Sequence, residues 1–309
     1  MVRLSIVIPT LNRAGVLAQA LDRLAAQTAP PGSFEVVVVS DPEEREPAAL
    51  ERALAGRPFA VEHLVRSAPG VSAARNAGWR AARAPLVLFL GDDILAGPGL
   101  VAEHLAWHDR HPRDEVGVLG PVRWARRLRV TPFMAWLEHG VQFDFRSIEG
   151  EEAGWGRFYT SNASVKRAML ERVGGFDESF AFAYEDLDLA KRMAAHGFRL
   201  LYARAAVAEH LHAPTVEEYR RRVGIIAEAE RRFVAKHPDV EPYFRNLFAR
   251  AKGLGPSRGR WARLAPWVPR GVPWLGERVW TSADRHFLAQ LAPAFEEAWE
   301  RSAQSTSVR

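Results

Sequence analysis

Residues 4–13 read Leu-Ser-Ile-Val-Ile-Pro-Thr-Leu-Asn-Arg: a short apolar run that ends at a proline and passes into a polar turn. A β-branched run of this length, closed by turn residues, reads as a strand in a sheet. Residues 34–39, 61–65 and 86–90 have the same form. Between these runs, residues 14–27, 47–55 and 71–83 set alanine, leucine and arginine at helical spacing. Strands alternating with helices predict a mostly parallel sheet with helices on both faces, several of its strands being buried on both sides. Ligands of such sheets bind beyond the carboxyl ends of the strands.

Those ends carry the polar residues. The first strand runs into Pro9, Thr10 and Asn12, the second into Ser40 and Asp41, and the fourth into Gly91, Asp92 and Asp93. No G-x-G-x-x-G follows a strand and no G-x-x-x-x-G-K occurs, so glycine-rich phosphate loops are excluded. A bound phosphate needs another source of positive charge. Paired aspartates can supply it by holding Mg²⁺ or Mn²⁺, hard cations that take oxygen ligands and bridge carboxylates to phosphates. A solvated turn at a strand end would also place two aspartates there.

The composition belongs to a globular protein: 309 residues, 48% hydrophobic and 26% charged, with a net charge of +5 and no cysteine. Without cysteine there is neither a disulfide framework nor cysteine-ligated zinc, which is compatible with a cytoplasmic address. Residues 1–9 lack the features of a secretory signal, and no run approaches the roughly 20 apolar residues that span a bilayer.

Further along, residues 158–164 lead into an expected helix over 165–173, stopped by Gly174 and Gly175. A second helix opens at 184–192, a strand follows at 198–202, and His210 and His212 stand two apart in an extended segment. The ordered set SIVIPTLNR (5–13), Asp92-Asp93, TSNASVKR (160–167), GGFDE (174–178), YEDLDLAKR (184–192) and a late histidine resembles family 2 of the inverting glycosyltransferases. The resemblance runs from residue 4 to about residue 222.

It implies the GT-A fold, a Rossmann-like sheet, and a nucleoside diphosphate sugar donor of UDP, GDP or dTDP type. Thr10, with Pro9 and Asn12 beside it, and Asp41 match positions that hold the nucleoside. Arg75 matches a basic residue near the nucleotide, although a helix-surface cation would read the same. Asp93 matches the direct metal ligand and Asp92 its neighbour facing the ribose or sugar; His210 or His212, with His210 preferred, matches the late histidine of the metal sphere, although two histidines so spaced also read as a satisfied polar pair. Asp186 matches the general base and Glu185 lies with it on the acceptor side; acids in a helix's first turn are also favoured by its dipole. Asn162 either orients the acceptor loop or caps the helix expected after it. Asp188 is read as structural. Two motifs depart from the family pattern: Ser40 and Pro42 replace an acid and a glycine, and Gly91-Asp92-Asp93 replaces Asp-x-Asp.

These residue types suit sugar transfer. Negative charge grows on the departing diphosphate, where a cation stabilises it, while a carboxylate removes the acceptor hydroxyl's proton on the opposite face. One base and in-line displacement invert the anomeric configuration. A nucleotidyltransferase, or a sugar-nucleotide binding module without turnover, would use similar parts.

The expected organisation is a catalytic domain over residues 1–236, divided near 115, and a helical extension over 237–309. Thr215 and Glu218 have the spacing of a capping box before a helix over 216–236. Beyond it, Arg258, Arg260, Trp261, Arg263, Trp267, Arg270, Trp274, Arg278 and Trp280 alternate, with prolines 256, 266, 269 and 273 preventing a continuous helix there. The tryptophans either pack internally or rest on anionic membrane. The acceptor is expected to be a glycan, a lipid-linked compound or a small molecule, and nucleic acid is not an expected partner.

Overall fold

The computed structural model describes residues 1–66, 69–251 and 259–306; Pro256 and Arg258 lie outside the described residues. In chain order the elements begin β1 (Leu4–Thr10), α1 (Ala14–Ala25), β2 (Phe34–Ser40), α2 (Pro47–Leu54), β3 (Ala60–Val65), α3 (Val71–Ala81) and β4 (Leu86–Leu90). Next come β5 (Ile94–Ala96), α4 (Leu100–Arg110), β6 (Val116–Leu119), β7 (Val122–Trp124), α5 (Pro132–Leu137), β8 (Asn162–Lys166) and α6 (Arg167–Val173). The chain then forms α7 (Glu185–Ala194), β9 (Arg199–Tyr202), β10 (Ala208–His210), α8 (Val216–Lys236), α9 (Tyr243–Ala249) and α10 (Leu275–Thr306). They form two units: Met1–Arg127, Phe145–Ala181 and Glu185–His212 make the first, and Leu128–Asp144, Phe182–Tyr184 and Ala213–Arg309 the second.

The first unit is built on a seven-stranded sheet of order β3-β2-β1-β4-β8-β6-β9. Neighbours pair in parallel except β8, which runs against both β4 and β6. Helical crossovers α1 to α3 impose the parallel pairing, as the alternation in the sequence predicts. Every residue of β2 and β4 is buried, whereas β3 is a half-exposed edge strand with Glu62 and His63 in it. Along α1 the buried side chains are Ala14, Leu17, Ala20, Leu21 and Leu24, an apolar stripe at helical spacing.

Strand register sets the functional rim. Thr10 pairs with Ser40, so β1 and β2 end level, and Leu90 pairs with Asn162, so the carboxyl end of β4 meets the amino end of β8. A second sheet, of order β5-β10-β7, starts directly after Asp93, and its pairing of His210 with Ile94 brings the histidine beside the aspartates.

The helix expected from residue 165 starts later. Residues Asn162–Lys166 form the interior strand β8, and α6 begins at Arg167. Ala163 and Val165 enter an apolar core, while Asn162 and Ser164 on the other face are bonded to His104 and His108 of α4. The strand does alternate, Asn-Ala-Ser-Val-Lys, but an alanine and one valine are too small an apolar face to set it apart from the helix that follows.

In the second unit α8 lies along α10. The helix over 216–236, included in the sequence reading with residues 1–236, thus packs with the C-terminal helices. Its capping box is present, Thr215 and Glu218 each bonding the other's backbone N–H. Glu230 of α8 is fully buried and accepts bonds from the Tyr184 hydroxyl at 2.5 Å and from the backbone N–H groups of Phe244 and Arg245 at 2.6 and 2.8 Å, which caps α9. The 32-residue α10 falls in the stretch expected to be helical, starts just past Pro273 and carries Pro293 inside it.

Candidate functional site

Two turns of the rim interlock. After β1, the Thr10 hydroxyl donates to Asp92 Oδ2 at 2.9 Å. Arg13, whose carbonyl starts α1, spreads its guanidinium over the turn after β4, with Nη1 2.7 Å from Asp92 Oδ1 and Nη2 2.9 Å from Asp93 Oδ2. From β10, His210 Nε2 lies 3.2 Å from the same Asp93 oxygen, and its ring stacks on Trp124 with centroids 5.5 Å apart.

The two aspartates differ electrostatically. Burial pushes the Asp92 carboxyl up to about 6, helped by the charge of Asp93 and opposed by Arg13 and the Thr10 bond. Burial also acts on Asp93, but the hydrogen bond and charge of His210, together with those of Arg13, outweigh it and hold Asp93 well below the usual carboxylate range.

Asp93 and His210 suit a divalent cation. Ligands on adjacent octahedral positions at about 2.1 Å from a metal stand about 3 Å apart, close to the 3.2 Å between Asp93 Oδ2 and His210 Nε2. A carboxylate oxygen and an imidazole nitrogen form a donor set that Mn²⁺ accepts, with other positions left to phosphate and water. Among the described residues no cluster of three acidic or histidine ligands forms. Arg13 supplies the positive charge that Asp92 and Asp93 share.

A second acidic group stands at the start of α7. Asp186 accepts from the Leu187 backbone N–H at 2.8 Å and also from that of Thr160. Thr160 precedes β8, so the β4–β8 register puts it at the rim that carries Asp92 and Asp93. Burial, then the adjacent charge of Glu185, raises the Asp186 pKa to about 7, against the lowering effect of Arg75. Glu185 itself is buried and accepts from Arg75 Nη1 at 2.7 Å, while Arg75 also lies over the Phe176 ring at 5.6 Å.

The segment before α7 is pinned. Asn76 accepts from the Phe176 and Trp79 N–H groups, each at 2.9 Å, and donates to the Phe176 carbonyl at 2.9 Å. Gly175 is required there: its φ is +76°, and a Cβ would stand 2.5 Å from Asn76 Oδ1. Asp188 is fully buried and bonds Arg192 at 2.9 Å, which in turn donates to the carbonyls of Val173 and Gly175. Its role is structural, as read.

Three expected site residues are engaged elsewhere. Arg75 carries its charge to Glu185, linking α3 to α7. Asn12, at φ +52°, accepts from the Arg45 N–H at 2.7 Å while its own N–H donates to Glu44 at 2.6 Å, joining the loops after β1 and β2. Asn162 is fully buried; it meets His104 Nε2 at 2.9 Å and donates to the Ala206 carbonyl at 2.8 Å, so it caps no helix. Pro9 continues β1 to its end, and Asp41 at the neighbouring strand end accepts from the N–H groups of Glu43 and Gly70 at 3.1 and 3.3 Å. Ser40 bonds His63 of β3 at 2.9 Å. Three residues at the site went unread. Arg13 closes the quoted motif and could have been read as a cation beside Asp92 and Asp93; Thr160 opens TSNASVKR without being given a role, and Trp124 carried no such signal.

A mostly parallel sheet with one reversed strand, a carboxylate pair at its carboxyl rim and an acid opening a later helix define the GT-A class of fold. Residues 5–173 match the glycosyl transferase family 2 profile, and the chain belongs to that family. It is 32% identical over 272 residues to the validoxylamine A glucosyltransferase of Streptomyces hygroscopicus subsp. limoneus, covering 77% of this chain and 58% of that protein. The chain spans about six tenths of the length of the Streptomyces hygroscopicus relatives. Among solved structures it is similar in fold to the mannosyltransferase PcManGT from Pyrobaculum calidifontis in complex with GDP-Man and Mn²⁺. That match has a TM-score of 0.55 and 19% identity over 99% of this chain and 75% of that one. S. aureus TarS in complex with UDP-GlcNAc matches with a TM-score of 0.56 and 16% identity over 98% of this chain and 92% of that one.

Proposed function

We propose that this chain transfers a sugar from a nucleoside diphosphate to an acceptor hydroxyl with inversion, with Asp186 as general base. The observation that supports this reading is Asp186 itself: an acid at the rim of Asp92 and Asp93, with its pKa raised to about 7, where a base exchanges protons near neutrality. Glu185, neutralised by Arg75, positions the start of α7. Asp41 faces the nucleobase and Thr10 and Asp92 the ribose or sugar. With Ser40 turned to His63, Asp41 is the acid left for the base at the end of β2.

Asp93 and His210 would hold Mg²⁺ or Mn²⁺, which when bound supplies positive charge to the departing diphosphate. The PcManGT complex with Mn²⁺ favours such a cation here. Glucose is the first sugar to test, on the name of the Streptomyces relatives, followed by the mannose and N-acetylglucosamine donors of the structural neighbours. A cytoplasmic address is compatible with the cysteine-free composition.

The test is a thermal-shift panel of UDP, GDP, dTDP and their sugars, with and without Mn²⁺. A ligand at 100 times its Kd stabilises the fold by about 2.7 kcal/mol. One nucleoside diphosphate should raise the melting temperature far more with Mn²⁺ than without. A panel with no shift would contradict donor binding, and equal shifts would contradict the cation.

A further inference from the structure

The second unit carries an exposed aromatic surface that sugar transfer does not use. Of the eleven exposed large apolar side chains among the described residues, five fall between residues 261 and 274. Trp267 is 71% exposed, Trp274 65% and Trp261 40%, whereas Trp280 beneath them is buried and donates to the Val268 carbonyl at 2.9 Å. The tryptophans of this stretch thus divide: Trp280 packs, and the other three face solvent.

The backbone fixes that exposure. Trp274 has φ +63°, one of four non-glycine positions with positive φ among the described residues, and for a bulky side chain such a conformation is a costly outlier. The turn around it is closed by Leu275 N–H to the Pro273 carbonyl at 2.6 Å and Gly276 N–H to the Val272 carbonyl at 2.8 Å. It leaves no slack, since a Cβ on Gly276 would stand 2.5 Å from the Arg270 carbonyl oxygen. A strained turn that holds a tryptophan outward points to a use for that side chain.

Charge selects the partner. Residues 259–278 hold four arginines, all exposed, against one glutamate. Arg278 lies over the Trp274 ring at 5.4 Å and over Trp261 at 5.9 Å, so cations and indoles share one surface. Indoles settle at the level of lipid headgroups, and arginines beside them meet anionic phosphates. Among the described residues no helix is long and apolar enough to cross a membrane, so the contact is peripheral. We infer that the surface formed by Trp261, Trp267 and Trp274 with Arg263 and Arg278 docks the protein on an anionic lipid bilayer.

The test uses the full chain with vesicles of phosphatidylcholine, alone or with about a quarter phosphatidylglycerol, read by co-sedimentation and tryptophan emission. The parent should bind the anionic vesicles, with a blue shift, and bind far less at about 0.5 M than at about 0.05 M salt, where screening is weak. W267A/W274A, which removes exposed side chains and so should melt with the parent, should bind at least about tenfold more weakly. R263Q should weaken binding to anionic vesicles and leave binding to neutral ones unchanged. No binding at low salt, or equal binding by parent and W267A/W274A, would overturn the inference. So would sedimentation showing that the three tryptophans instead cover a second copy of the chain. Failure here would leave the donor-binding panel untouched.

Discussion

The guanidinium of Arg13 donates to Asp93 Oδ2 at 2.9 Å, and His210 Nε2 approaches that same oxygen at 3.2 Å. One carboxylate oxygen therefore faces both a permanent cation and a potential metal ligand. The Arg13 side chain is 38% exposed against 14% for Asp93, so the arginine is the partner free to move. Arg13→Gln should tighten Mn²⁺ binding without nucleotide about tenfold, the equivalent of one charge-assisted hydrogen bond. Titration followed by Mn²⁺ electron paramagnetic resonance measures it, and equal affinities would mean that Arg13 and the metal do not compete.

Asp93→Ala should abolish the Mn²⁺-dependent part of the nucleotide-induced thermal shift while the metal-free protein still folds, because the residue lies beyond the end of β4. Its loss removes the acceptor of Arg13 and His210, so the metal-free protein should also melt lower, at a cost of about 1–3 kcal/mol. A variant that kept the full Mn²⁺-dependent shift would remove Asp93 from the metal site.

Stability and activity should respond to Asp186 in opposite senses. Its folded pKa is raised to about 7, whereas an unfolded aspartate titrates near about 4. Between about 4 and 7 the folded state keeps a proton that the unfolded chain has lost, so this contribution to stability declines as pH rises and is gone above about 7. Asp186→Asn should therefore melt higher than the parent at about pH 8, measured without ligand. The parent's kcat/KM should rise with pH and level off above about 7, since the base must be ionised.

The buried histidines give the opposite slope. Burial holds His104 at about 4 and His108 well below its ordinary value, so both stay neutral in the fold. The unfolded chain takes up protons below about 6.5, and stability is lost as pH falls from there toward about 4. His104→Ala leaves the buried Asn162 Oδ1 without its partner, while Ser164 keeps His108, at a cost of about 1–3 kcal/mol, and should flatten the acid side of the stability curve. Urea titrations at about pH 5 and about pH 7.5 compare the slopes; unchanged slopes would contradict a neutral buried His104.

Much of the first unit was legible because β1, β2 and β4 are apolar runs with helices between them, and periodicity reports burial. The register that sets Asp92 beside Thr10 follows from that order. β8 was misread because Asn162 and Ser164 satisfy their polar groups on histidines from α4, a pairing between distant residues with no local pattern. Arg75 read either as a cation near the nucleotide or as a helix-surface cation, because its partner Glu185 lies 110 positions away and only the fold brings them to 2.7 Å. The packing of α8 with α10 was hidden for the same reason: a capping box marks where a helix starts and says nothing of its neighbour.

The central claim is that Asp186 takes the acceptor's proton. Asparagine is nearly isosteric and can still hydrogen-bond a hydroxyl, but it cannot accept the proton at neutral pH. The most direct measurement is single-turnover sugar transfer by parent and Asp186→Asn, with donor affinity and the circular dichroism spectrum determined on the same samples. The account predicts a loss of about 10²–10⁴ in the transfer step for Asp186→Asn, with donor affinity unchanged; transfer at the parent rate, or a loss explained by donor affinity alone, would contradict it.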